Sequence, residues 1–201
     1  FHPYFPENAN QQGADVVIHS VHKTLPAPTQ TALLHMNGNL ADREAVRKYL
    51  HMFQSSSPSY ILMAGIDACM GLLEIKADDL FSKYADRLQR TRKKLGKLKN
   101  LELEESEHFD RSKIVISTKN TMLTGKQLYE ELLEHYHLQM EMAAGAYIIA
   151  MTSIGDTDAG MERLEDALFE IDTNGEVQKT TDDLSVKSVK TGILPQLEQI
   201  C

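Results

Sequence analysis

An amine, an imidazole and a hydroxyl fall within four residues at Ser20-Val21-His22-Lys23. The stretch before them, Asp15 to Val21, is β-branched and predicts a short buried strand. A lysine just past such a strand is held by rigid backbone, where the strand meets a crevice rather than bulk water. Partial desolvation there lowers the pKa of the ammonium and favours the neutral amine, which attacks an aldehyde. Side chains alternate along a strand, so Ser20 and His22 are predicted on one side, His19 and Val21 on the other. A hydroxyl and an imidazole beside an amine make a small phosphate cradle. Covalent capture of an aldehyde, with short hydrogen bonds to a phosphate, is what holding pyridoxal phosphate (PLP) requires. Spacing alone leaves open a solvated lysine capping a strand. His19 and His22 face opposite ways on a strand and no Cys or carboxylate cluster joins them, so no metal site is predicted.

These residues need elements to position them. Pro26 and Pro28 interrupt regular structure, and Thr31 to Met36 reads as a second strand ended by the turn Asn37-Gly38-Asn39. Asp42 is a predicted N-cap for a helix running to about Phe53, and Gln54 to Pro58 is a loop. From Ser59 to about Leu98 the pattern is a long helix, with Leu80, Tyr84, Leu88, Leu95 and Leu98 on one stripe. Its basic residues Arg90, Arg92, Lys93, Lys94, Lys97 and Lys99 read as a solvated face near a C-terminus.

The pattern then changes. Leu101 to Glu104 alternates like an edge strand, and Lys113 to Ser117 is another strand. A helix opens at Gly125 with Leu128, Leu132, Leu133 and Tyr136 inward. Leu138–Met142 and Ala146–Thr152 read as a hairpin around Ala143-Ala144-Gly145. A turn at Gly155 to Asp158 precedes a helix carrying Met161, Leu164, Leu168 and Ile171. The predicted architecture is α/β: residues 1–96 are the later part of a large domain with a mainly parallel sheet, 97–172 a small α+β domain, and 173–201 a linker or tail.

The chain has 201 residues, enough to bury a real core. Its formal net charge of -8 argues against phosphate-backbone binding and against an anionic membrane surface as the main task. Two cysteines, Cys69 and Cys201, make no disulfide framework and fit a reducing cytosol. No apolar run is long enough for a transmembrane helix and no cleavable leader is recognised. The opening Phe1-His2-Pro3-Tyr4-Phe5-Pro6, without an initiating Met, reads as the interior of a longer chain.

The wording around Lys23 narrows the reading. Ser20-Val21-His22-Lys23-Thr24-Leu25, followed by Gln30-Thr31-Ala32 and Leu34-His35, resembles the PLP-lysine segment of the bacterial Orn/Lys/Arg decarboxylases, within the aspartate-aminotransferase-like superfamily. The resemblance continues at Ser56 to Tyr60, at Lys113 to Ile116, at Glu141 and at Ser153 to Thr157, and covers roughly residues 1–172. It implies a covalent link between Lys23 and the PLP aldehyde, with Ser20 and His22 on the phosphate. It further implies that a loop hydroxyl, Ser55 with Ser56 as fallback, reaches the phosphate of a partner subunit, hence a homodimer or larger homo-oligomer. The family usually has Thr where this chain has Ser55. The implied reaction is decarboxylation of arginine, lysine or ornithine to the amine and carbon dioxide, as in polyamine formation. Lys23 or His22 would be the proton donor.

The family's aspartate on the pyridine nitrogen and histidine stacked on the ring lie upstream of this stretch, so these 201 residues alone are expected to be inactive. Two other readings stay open. One is an aminotransferase or lyase with the same cofactor; it would need an arginine for the α-carboxylate, and neither Arg111 nor Arg163 stands in a context that assigns it that task. The other is a non-catalytic assembly domain.

Overall fold

A computed structural model describes residues 2–107 and 109–174. Residues 175–201, with Cys201 and most of the predicted tail, lie outside the described residues, while Thr173 and Asn174 close the last helix.

The β-branched run forms β1 (Val16–Ser20), which pairs antiparallel with β2 (Ala32–Met36), Val16 opposite Met36 and Ser20 opposite Ala32. One helical turn, α1 (Val21–Thr24), follows β1 directly. Among the described residues every strand pair is antiparallel, so the expected mainly parallel sheet is not what this chain builds. The reason is the short 21–31 connection: a parallel neighbour needs a crossover of about a dozen residues or more. Nor is β1 buried on both faces; Val17 is buried, whereas Ile18 is 69% exposed.

Asp42 caps α2 (Arg43–Phe53), its carboxylate accepting from the Glu44 and Ala45 N–H groups. No residue of α2 is buried, and Tyr49, Met52 and Phe53 are exposed. Ser59 caps α3 (Tyr60–Leu95), whose last turn is closed by Gly96, short of the predicted end at Leu98. Gly65 lies against the Pro28 ring so closely that no Cβ fits between them.

The remaining elements are β3 (Glu102–Leu103), β4 (Lys113–Ser117), α4 (Gly125–Tyr136), β5 (Met142–Ala144), β6 (Tyr147–Met151) and α5 (Asp158–Asn174). The strands form one sheet in the order β3-β4-β6-β5. Thr124 and Gln127 make a reciprocal capping box that starts α4. The hairpin turns at Gly145, whose φ of 50° suits a residue without Cβ. Its first strand begins at Met142 rather than Leu138. His137 takes the left-handed conformation, Leu138 N–H caps the Leu132 carbonyl, and Met140 enters the core instead of a ladder. Leu133, expected inward, is 37% exposed.

The core is one apolar cluster. Leu88 and Leu95 of α3 meet Ile114, Leu128, Ile148 and Leu168, all essentially inaccessible. Each such side chain contributes roughly 1.5–3 kcal/mol by leaving water. The second half of α3 therefore packs inside the small unit, although it precedes residue 97 in the chain. Polar groups lock it there. Thr152 Oγ1 donates to the Ser112 carbonyl at 2.7 Å, so Tyr84 OH donates to Thr152 at 2.6 Å, and burial pushes the Tyr84 phenol well above its ordinary pKa. Thr91 Oγ1 and Lys94 Nζ both donate to Glu165 at 2.6 Å, which raises the Lys94 pKa. The basic run is thus not simply a solvated face. Arg92 is buried, with its guanidinium over the Phe109 ring, Nε donating to Glu105 and Nη1 to the Lys113 carbonyl. It is recruited because the carbonyls at Arg111 and Lys113 need donors that a helix side chain can reach.

Candidate active site

Ser20, His22 and Lys23 are brought together where β1 runs into α1, but not by strand alternation. Ser20 is the last residue of β1 and the N-cap of α1, and Val21 already begins the helical turn. Val21 is 2% exposed and joins the core cluster with Cys69 and Leu73 of α3, which anchors the corner from below. The Thr31 carbonyl anchors it from the side: it accepts the Val21 N–H at 3.1 Å and His22 Nδ1 at 2.9 Å. A carbonyl only accepts, so His22 carries a proton on Nδ1. A bond from Nε2 to an anion then calls for the imidazolium form, a charge-assisted donor. Thr31 is itself fixed, since its N–H and hydroxyl both donate to the Pro28 carbonyl.

Lys23 is not desolvated as expected. Its side chain is 51% exposed and its Nζ donates to Glu141 Oε1 at 3.4 Å. The helical turn aims the amine toward the segment ahead of β5 rather than inward. An ion pair this exposed contributes at most about 1 kcal/mol to stability. Sequence spacing does not join Glu141 to Lys23, because the carboxylate lies 118 positions away and meets the amine only in the fold.

Ser55 lies elsewhere, in the exposed loop between α2 and α3. Its hydroxyl donates to the Ser57 carbonyl at 2.9 Å and accepts the Ser57 N–H at 3.3 Å, so it closes its own turn. Ser56 is exposed in the same loop.

A cavity of about 640 Å³ opens between the β1–β2 ribbon, the N-terminal segment, α3 and the small unit. Ser20 lines it together with Phe5, His19, His35, Tyr84 and Thr152; His22 and Lys23 do not. His19 and His35 sit on neighbouring strands with Nδ1 of one 3.0 Å from Nε2 of the other. Among the described residues no group of three or more His, Cys, Asp or Glu side chains is arranged to hold a metal ion, and no helix is long and apolar enough to cross a membrane.

The donor set fits PLP chemically: a reachable amine, an exposed hydroxyl and an oriented imidazole within one corner. The mixed α/β arrangement has counterparts among solved structures. It resembles the lysine decarboxylase of Francisella novicida with a TM-score of 0.68 at 18% identity, over 79% of this chain and 28% of that one. The alanine–glyoxylate aminotransferase of Nostoc aligns with a TM-score of 0.53 at 15% identity, over 83% of this chain and 50% of that one. The fold is therefore one shared by decarboxylases and an aminotransferase.

Sequence defines the family. Residues 1–166 match the model of the Orn/Lys/Arg decarboxylase major domain, and the chain belongs to that family. It is 30% identical over 179 residues to the arginine decarboxylase of Bacillus subtilis, covering 85% of this chain and 36% of that protein. The chain thus spans about a third of the length of the curated relative it matches.

Proposed function

We propose that this chain carries the cofactor-binding lysine of a PLP-dependent decarboxylase that converts arginine, lysine or ornithine to its amine and carbon dioxide. The observation that carries the reading is the fixed corner of Ser20, His22 and Lys23 in a chain of this family. Lys23 would hold the PLP aldehyde, and Ser20 and His22 the phosphate. When bound, PLP supplies an electron sink for the pair left by the broken carbon–carboxylate bond.

The chain's own residues do the rest. The Thr31 carbonyl fixes the His22 ring, so the imidazole spends no orientational entropy at the moment of binding. Decarboxylation consumes one proton at the carbon, and Lys23 and His22 are the two proton carriers at the corner. Glu141 accepts from Lys23 Nζ in the cofactor-free chain and so keeps the amine near the corner. Ser55 belongs in this reading to the phosphate site of a second copy, which makes the working unit at least a homodimer. Its exposure on a loop flanked by the apolar Phe53 and Tyr60 supports that placement.

The test uses the full-length protein supplied with PLP and each basic amino acid. Carbon dioxide release without keto-acid formation is expected. Lys23→Ala should abolish borohydride-trappable cofactor and lower carbon dioxide release by at least about a thousandfold. In the cofactor-free protein it should change the unfolding free energy by no more than about 1 kcal/mol, because the ion pair it removes is exposed. Keto acid without carbon dioxide would select the aminotransferase reading, and no cofactor uptake the assembly reading.

A further inference from the structure

The corner that holds Lys23 is built on a ribbon of two strands, and two strands alone are marginal in water. The ribbon has a clasp between side chains of its two strands. His19 lies opposite Leu33 in the register, so His35 is its diagonal neighbour two residues along the partner strand. The rings meet edge to face, with centroids 4.8 Å apart and planes at 64°. Nδ1 of His19 is 3.0 Å from Nε2 of His35, a distance that requires one proton between two nitrogens. Both rings are half-buried in the wall of the 640 Å³ cavity, beside Ser20. The chain from His19 to His22 is therefore gripped twice, by an imidazole pair one residue before Ser20 and by the Thr31 carbonyl at Val21 and His22.

We propose that His19 and His35 are a positioning pair: their shared proton clamps β1 to β2 and so sets where Ser20, His22 and Lys23 present their donors. The inference rests on the reading of Lys23 as the cofactor lysine. Neither histidine is asked to touch cofactor or substrate. What matters is a hydrogen bond at the facing atoms, so an amide that reaches the same place should serve. Asn places a nitrogen or oxygen near Nδ1, and Gln near Nε2.

The experiment compares His35→Phe, which keeps a ring without nitrogens, with His35→Gln, in the full-length protein. In the cofactor-free protein, hydrogen exchange of the β1 amides should quicken in His35→Phe and stay at the wild-type rate in His35→Gln. The PLP dissociation constant should rise about five- to tenfold in His35→Phe, the fold-change of one lost hydrogen bond, and fall within about twofold of wild type in His35→Gln. Should His35→Phe not fold, the pair His19→Asn and His19→Leu carries the same contrast. Unchanged exchange and unchanged PLP affinity in both nitrogen-free variants overturn the clasp while leaving the cofactor reading intact. Equal loss in the Gln and Phe variants also overturns it, since bulk rather than the bond would then matter. Failure of wild-type protein to take up PLP sinks the cofactor reading instead, and the exchange rates still decide the clasp.

Discussion

The ribbon that carries Lys23 and the four-stranded unit beside it are held by different means. The unit is secured by buried apolar contact and by polar groups that each satisfy several partners. Asp172, 3% exposed, accepts the N–H groups of Lys99, Asn100 and Leu101 at 2.7–2.8 Å. The ribbon and its corner have few such resources: Val17 and Val21 are their buried apolar side chains, and the corner is fixed by two hydrogen bonds at the Thr31 carbonyl and one between two imidazoles. Reactive groups need reachable faces and cannot be packed away. Under the proposed function the chemistry sits on a lightly held element and the stability in its neighbour.

Three substitutions sharpen that contrast. The largest effect is expected from Leu88→Ala, which opens a hole at a fully buried site and should cost about 2–5 kcal/mol in denaturant unfolding. A cost comparable to that of ribbon substitutions would erase the distinction. Asp172→Ala comes next. It strands three backbone N–H groups, and a loss of about 1.5–3 kcal/mol is expected in the same measurement. The smallest effect concerns acid. Burial pushes the Asp110 carboxyl up, but hydrogen bonds from Ser112 and the Lys113 charge outweigh it and leave the pKa below its ordinary 3.8. A carboxyl lowered by folding stabilises fully above its unfolded value and loses that contribution as pH falls through the folded one. Unfolding midpoints taken from pH ~5 downward should fall more steeply in wild type than in Asp110→Asn, by under about 1 kcal/mol because the group is half exposed. Parallel curves would show that Asp110 is no part of the lock.

Much of the unit was legible because its signals are local. Asp42 announces a helix start by capping chemistry, and the helices from Ser59 and from Gly125 show in their apolar spacing, though the caps Ser59 and Thr124 emerge as such only in the structure. The stripe Leu80, Tyr84, Leu88, Leu95 and Leu98 announces which face turns inward: Tyr84, Leu88 and Leu95 are buried, and Leu80 and Leu98 are half-buried. The cluster Ser20-His22-Lys23 was legible as residue types, while its geometry was not, because strand alternation does not carry across Val21 and His22, which already belong to a helical turn. Pairing direction escaped for a related reason: β1 and β2 read as strands, yet only the length of what joins them tells whether they run together or opposed. Arg92 was misjudged because its partners, two carbonyls and the Phe109 ring, are contributed by residues well beyond its own helix. The Glu141 contact and the imidazole clasp likewise exist only after the chain has folded back on itself.

The long α3 has a mechanical implication. At about 1.5 Å per residue it is a rod some ~54 Å in length, touching the Pro28 ring near one end and bolted by Arg92, Thr91 and Lys94 near the other. It contains no proline, the commonest joint in such a rod. A push delivered at Pro28, five positions beyond Lys23, would therefore be carried toward the far sheet as tilt of a stiff beam.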